Sequence, residues 1–320
     1  MEIKTKLFFL AIVAMVVAVS GCVGQKPVVT ASNDGIVITD FSADSYAVDE
    51  GELVTFSIDV ENQGGVDASY VMAELSGVEN NWRESDGSIV VDTMPKWGDL
   101  DMKAPDPQYN MPGGYKTTYW KLKTPEVPQL TMSFPVKAKV TYMYKTTGAI
   151  QVKSFGSTYY ETEYLAKGKT LTDAMTVTNT NAPVKILLTD KTPPIIVDDS
   201  MDADEMQSFV IRFKLQNVGS GFPVTEGVPG RFYGNINIAG GPFKFKDCLG
   251  VIDSSEVEIN EDNVDLAKLK LRSGEVTISC EVEVSKSAWA SRQEETMNML
   301  FDLYYGYYVD KEVSVKIFGK

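Results

Sequence analysis

Apolar and polar residues alternate with a period of two along several stretches of this chain. Val54, Phe56, Ile58 and Val60 alternate with Thr55, Ser57, Asp59 and Glu61, and Val136-Lys137-Ala138-Lys139-Val140-Thr141-Tyr142 repeats the pattern. A strand points successive side chains to opposite faces, so this alternation predicts strands with one face buried. Between them run β-branched and aromatic segments punctuated by Gly, Pro, Asn and Asp. Short strands at such spacing predict an all-β fold of antiparallel sandwiches. Two stretches read differently. Residues 261–271 are expected to form one short helix, and residues 294–303 open with helix-favouring side chains.

The strand pattern occurs twice. Ile36-Val37-Ile38-Thr39-Asp40 matches Ile186-Leu187-Leu188-Thr189-Asp190 at an offset of 150. The strand ending in Asn62-Gln63-Gly64 matches Phe209, Ile211, Phe213 and Leu215, followed by Asn217-Val218-Gly219, at an offset of 155. Tyr142, Tyr144, Ile150, Val152, Lys153, Phe155 and Gly156 match Tyr305, Tyr307, Val313, Val315, Lys316, Phe318 and Gly319 at an offset of 163. An offset that grows in small steps is what loop insertions between fixed strands produce, so the reading is a duplicated domain. Residues 157–183 join the halves. The Asn-x-Gly that closes each matched strand reads as a turn, since Asn and Gly tolerate positive φ.

Charge and composition narrow the function. With 30 Lys and Arg against 44 Asp and Glu, the 320-residue chain carries −14, a poor match to the phosphates of nucleic acid. It contains no His, which removes the Ser-His-Asp triad and every imidazole metal site. There is no Walker loop, no GxSxG and no GxGxxG, so neither an enzymatic activity nor a cofactor is expected. Of the three Cys, Cys248 and Cys280 form an even pair expected to close a disulfide.

The N-terminus reads as an address. Lys4 and Lys6 precede thirteen apolar residues, 7–19, too few to span a bilayer and suited to the apolar core of a secretory signal. Val19-Ser20-Gly21-Cys22 follows and resembles the lipobox of prokaryotic lipoproteins. That resemblance implies removal of a signal peptide, 1–21, and lipid attachment to Cys22 at the start of a tether, 22–34. The chain is then expected on the extracytoplasmic face of the cell membrane. The repeated apolar strand followed by Asn-x-Gly resembles the Ig-like, CARDB-like domains of archaeal and bacterial surface proteins. It implies two tandem Ig-like sandwich domains, 35–182 and 183–320, used for spacing or contact, with no catalytic residues to carry over.

Two regions hold candidate ligand-binding residues. The insertion 80–119 carries Trp82, Trp97, Tyr109, Tyr115 and Tyr119, aromatic residues suited either to a binding surface or to covering the sandwich edge. Asp198, Asp199, Asp202 and Asp204 form an acidic run that reads as a solvated loop or, more weakly, as a Ca²⁺ site. Tyr304, Tyr305, Tyr307 and Tyr308 fall on two faces of one strand, one pair in the core and the other exposed. The function expected is a non-enzymatic, lipid-anchored surface protein with envelope-protein partners; the alternative is an extracytoplasmic glycan- or calcium-binding module.

Overall fold

A computed structural model describes residues 31–79, 81–90, 94–128, 130–171, 173–189, 193–200, 202, 204–264, 268–271, 273–290 and 292–320. The expected signal peptide, Cys22 and most of the tether lie outside the described residues.

Among the described residues twenty strands follow one another. The first ten are β1 Ile36–Ala43, β2 Ala47–Asp49, β3 Leu53–Asn62, β4 Ala68–Ser76, β5 Arg83–Glu84, β6 Lys96–Met102, β7 Tyr115–Lys123, β8 Thr131–Gly156, β9 Met175–Asn179 and β10 Val184–Leu188. The second ten are β11 Ile195–Val197, β12 Met206–Asn217, β13 Phe222–Thr225, β14 Val228–Pro229, β15 Tyr233–Ala239, β16 Phe243–Cys248, β17 Val251–Ser254, β18 Glu256–Ile259, β19 Glu275–Ser285 and β20 Glu294–Phe318. Among the described residues two single-turn α-helices, α1 Ser157–Tyr160 and α2 Lys286–Trp289, interrupt them, and α1 runs on into a π turn at Glu161–Leu165. The chain is all-β, as its alternation predicts.

Strands β8 and β20 are the spine. They pair antiparallel without a break from Phe155–Glu294 to Thr131–Phe318. Along β8 every even-numbered residue from Val136 to Gly156 is buried, so one face of this 26-residue strand stays dry from Val136 onward. On β20 the matching buried set includes Met297, Met299, Phe301, Leu303, Tyr305, Tyr307, Val315 and Ile317. The opposite face is wet and carries charge. There Lys137 pairs with Asp310 and Lys145 with Asp302, each at 2.7 Å. Lys139 and Lys145 lie 4.9 and 5.0 Å above the rings of Tyr308 and Tyr304.

Two smaller sheets sit on the dry face. One has the order β1-β3-β7-β5 and the other β10-β12-β19-β16-β17. Phe56 and Phe134 close on Trp82 edge-on in the first sandwich, and Phe213 meets Phe301 edge-on in the second. The central sheet beneath them runs β14-β13-β20-β8-β4-β6, with β2, β9, β11, β15 and β18 attached.

Both sequence halves build that central sheet. The end of β8 is flanked by β9 and by β11, which lies parallel to it, while the end of β20 takes β2 as a parallel neighbour. The division between residues 182 and 183 therefore does not divide the sheet. The register also displays the duplication. Tyr142 lies opposite Tyr307 and Tyr144 opposite Tyr305, so repeat-related residues cross-pair, and Met143 faces its own counterpart Gly306.

Two local expectations change. Residues 294–303 are strand, because β20 finds ladder partners on both sides, in β8 and β15, and paired neighbours outweigh helix propensity. Of the expected short helix 261–271, residues 265–267 lie outside the described residues; 261–264 form a turn and Lys268 is 3₁₀-helical. The Asn-x-Gly turns do not use positive φ at Gly64 or Gly219, which are absent from the left-handed residues. Glycine is needed there for space: a Cβ on Gly64 would collide with the Tyr144 hydroxyl, and one on Gly219 with that of Tyr307.

Candidate functional site

The centre of the spine holds four buried tyrosines, Tyr142, Tyr144, Tyr305 and Tyr307. Tyr142 packs against Tyr144 and Tyr307 with ring centroids 5.7 Å apart in each case, and Tyr305 lies 6.3 Å from Tyr307. Two of the four lock the Asn-x-Gly turns. Asn62 donates to the Val66 carbonyl and accepts from the Gly64 amide, while the Val66 amide donates to the Tyr144 hydroxyl at 3.3 Å. Asn217 repeats this with Gly221 and Gly219, and the Gly221 amide donates to the Tyr307 hydroxyl at 3.0 Å. Burial pushes all four phenols well above the usual tyrosine range. A phenol held neutral and hydrogen bonded to backbone is a joint in the fold. Tyr304 is exposed and Tyr308 half-buried on the wet face. The division of the cluster into a core pair and an outward pair follows the strand alternation.

The pair Cys248 and Cys280 is joined. The two residues lie directly opposite each other on β16 and β19, with sulfurs 1.99 Å apart, and both are fully buried.

The aromatic insertion separates into two sets. Trp82 is fully buried between Phe56 and Phe134, so it is a core residue and not a surface ligand contact. Trp97 is half-buried against the core, where β6 pairs irregularly with β4. Tyr109 stands out on a turn whose Asp106 carboxylate accepts the Gln108 and Tyr109 amides. Tyr115 and Tyr119 are exposed on β7.

Part of the acidic run is engaged in hydrogen bonds within the run and to α1. The Asp198 carboxylate accepts both the amide and the hydroxyl of Ser200, and that of Asp199 accepts the Thr158 amide. At the next turn the Asp202 amide donates to Glu205, and Asp204 makes no convergent contact with these groups. Among the described residues no three acidic, His or Cys groups gather to hold a metal.

What remains is the outer face of the first small sheet. Trp120 and Leu122 of β7 point into the core, so Tyr115, Thr117, Tyr119, Lys121 and Lys123 point out. Ser57 stands opposite Tyr119, and Asp59, opposite Thr117, accepts its hydroxyl at 2.6 Å. Arg83 of β5 lies directly opposite Lys123 and shares its face. Beside this pair is a cleft of about 400 Å³ lined by Gly51, Asn81, Arg83, Gly87, Lys123, Thr124, Pro125 and Glu126. Sequence reasoning singled out the two tyrosines and missed Lys121, Lys123 and Arg83. The signal was present in the Tyr-x-Thr-x-Tyr-x-Lys-x-Lys alternation of residues 115–123.

Among the described residues no helix is long and apolar enough to cross a membrane. No family model and no curated protein matches the chain. Among solved structures, it is similar to Pseudomonas fluorescens alkylpurine DNA glycosylase AlkC bound to DNA containing an abasic site analog, at 12% identity and a TM-score of 0.21. The likeness covers 33% of this chain and spans 27% of the glycosylase, too little to bear on activity.

Proposed function

We propose that this chain is a non-enzymatic spacer and contact module of the cell envelope, held on the extracytoplasmic face of the membrane by a lipid on Cys22. The observation that carries the reading is the unbroken β8–β20 ladder. Its 26- and 25-residue strands run through both sandwiches, on the order of 80 Å of extended backbone. A continuous sheet resists bending at the junction far better than a linker between separate domains. The tyrosine joints tie the turns of both halves to that ladder. The surface is acidic overall, which keeps such a module soluble and repels other acidic surfaces. An envelope protein is the expected partner.

Cell fractionation combined with crosslinking tests this. The native chain should sediment with membranes, and the Cys22→Ser chain should appear in the soluble extracytoplasmic fraction. Crosslinking in native membranes should then capture one dominant envelope protein. A Cys22→Ser chain that stays with the membrane would overturn the lipid anchor, and capture of nothing but other copies of this chain would overturn the contact role.

A further inference from the structure

The segment that leads to the anchor joins the body at its waist. The Ala31 carbonyl accepts the Asn181 side-chain amide at 3.3 Å, and the Ser32 amide donates to the Gln63 carbonyl at 2.7 Å. The Asp34 carboxylate accepts the Ser220 amide at 2.8 Å. Residues 31–35 thus cross both Asn-x-Gly turns, one from each half. They lie on the dry side of the central sheet, where Gly35 packs against the Tyr142 ring. The waist is also the middle of the ladder, for Met143 opposite Gly306 has twelve pairs on either side. Thr180, next to Asn181, donates its amide to the Thr147 carbonyl, so Ala31 leaves the body at the level of residues 142–147 of β8. From that level nine residues of β8 remain to Gly156 and eleven to Thr131, each about 30 Å or more of strand.

Nine residues lead from Cys22 to Ala31, and even drawn straight they reach only about 30 Å. With a lipid on Cys22, neither end of the ladder can rest on the membrane unless that whole length runs down the side of the molecule. We infer that the chain lies along the membrane, with the outer faces of its two small sheets toward the lipid headgroups and the wet face of the central sheet turned outward. The inference rests on the lipid anchor proposed above and adds the orientation that follows from it. To turn the wet face down, the tether would first spend about 20 Å rounding an edge of the central sheet. Chain length fixes this orientation, and charge does not. On the second small sheet Lys214, Lys244 and Lys246 pair with Glu275, Glu283 and Glu281. On the first, Asp59 and Glu61 share the outer face with Lys121 and Lys123. Neither face carries the one-sided basic charge that draws a protein onto acidic lipid. The stiff ladder then sets distances along the membrane, and its wet face is the surface offered to an envelope protein.

Energy transfer from single dyes to an acceptor lipid tests the orientation, using full chain purified from its own membranes and placed in phosphatidylcholine vesicles. Cys248 and Cys280 are joined to each other, so with Cys22 lipidated one introduced Cys takes one dye. Leu130→Cys and Leu165→Cys mark the two ends, Tyr119→Cys and Val210→Cys the two small sheets, and Tyr304→Cys the wet face; all five side chains are exposed. Flotation comes first, and a chain that does not float with the vesicles would overturn the anchor and the orientation with it. In floating chains the two ends should give equal transfer, Tyr119→Cys and Val210→Cys the strongest, and Tyr304→Cys the weakest. Strong transfer from one end and none from the other would mean an upright chain, and the strongest transfer from Tyr304→Cys would put the wet face down. Either result overturns the orientation and leaves the anchor standing. A Gly-Ser insertion of about twenty residues after Lys26 should draw all five values toward a common mean. A pattern unchanged by that insertion would overturn tether length as the cause.

Discussion

Trp120 and Cys280 occupy the same station in the two halves of the molecule. Trp120 stands opposite Phe56 on β7, and Cys280 stands opposite Ile211 on β19, where Phe56 and Ile211 are repeat-related. Both are buried at the middle of their small sheet. The first half fills the place with the largest side chain available and ties its indole nitrogen to the Met94 carbonyl at 2.7 Å. The second half fills it with a covalent bridge to the neighbouring strand. One strand station thus has two solutions: apolar volume, which works through the folded state, and a crosslink, which works largely by restricting the unfolded chain. What the halves share is the tyrosine centre, to which each contributes two rings.

The largest expected effect therefore comes from attacking the shared part. Each of the four buried phenols has its folded pKa raised by burial. A raised folded value means that full stability is present below the unfolded tyrosine pKa, near 10, and is lost as pH rises toward the folded value. The loss is about 1.4 kcal/mol per pH unit for each group, so four together exceed any single substitution within two units. Alkaline titration followed by phenolate absorbance and circular dichroism should show these tyrosines ionising only as the whole chain unfolds, in one transition. Ionisation of all tyrosines in a still-folded chain would break the picture of a common centre.

Next come the two stations separately. Trp120→Ala should cost about 3–5 kcal/mol by urea unfolding, with the Met94 carbonyl left unpaired as part of the loss. Replacing Cys248 and Cys280 together by Ala should cost slightly less, about 3–4 kcal/mol for a 32-residue separation. The native chain under a reductant should match the double variant, and Trp120→Ala, which keeps the bridge, should lose about the same further amount when it is reduced. If the two halves unfold independently, each change will shift only half of the signal; the shared ladder predicts that each shifts all of it.

The alternation, the duplication and the cysteine pair were all readable along the chain because each is a local or repeated pattern. The continuity of β8 was not. Its dry face passes through Thr146 and Gly148, which are too polar or too small to read as core. Thr146 is buried because its hydroxyl donates to the Val184 carbonyl, and Gly148 because a Cβ there would strike Ile186. Both partners come from the next half, so local sequence carries no trace of them. Residues 294–303 misled for the same reason, since their strand partners lie in β8 and β15. On the outer face of the first small sheet the tyrosines were legible as aromatics on an insertion. Trp82 was not separable from them until its neighbours Phe56 and Phe134 fixed it in the core. Arg83 joined the site only through its register with Lys123, a pairing 40 residues apart that no window of sequence contains.

The smallest expected effect is the sharpest test of how far the halves have diverged. Tyr305 and Tyr142 are repeat-related, yet only Tyr305 is satisfied. Thr146 gives its own proton to the Val184 carbonyl, so the Tyr305 hydroxyl donates to Thr146 at 2.9 Å and accepts the Val184 amide at 3.3 Å. The residue related to Thr146 is Val309, which has no hydroxyl, and the buried Tyr142 oxygen is left without a hydrogen bond although the Ile36 backbone lies beside it. Removing an oxygen that is hydrogen bonded strands its partners; removing one that is not relieves an uncompensated desolvation. Tyr307→Phe should thus cost about 1–3 kcal/mol, since it strands the Gly221 amide and leaves the Asn217 side-chain oxygen with only the Gly219 amide. Tyr142→Phe should be neutral or stabilising by up to about 1 kcal/mol. Urea unfolding of the two variants measures the difference. A Tyr142→Phe loss equal to that of Tyr307→Phe would mean that the first half has found a partner for Tyr142, such as a bound water, and that the two halves differ less than their side chains suggest.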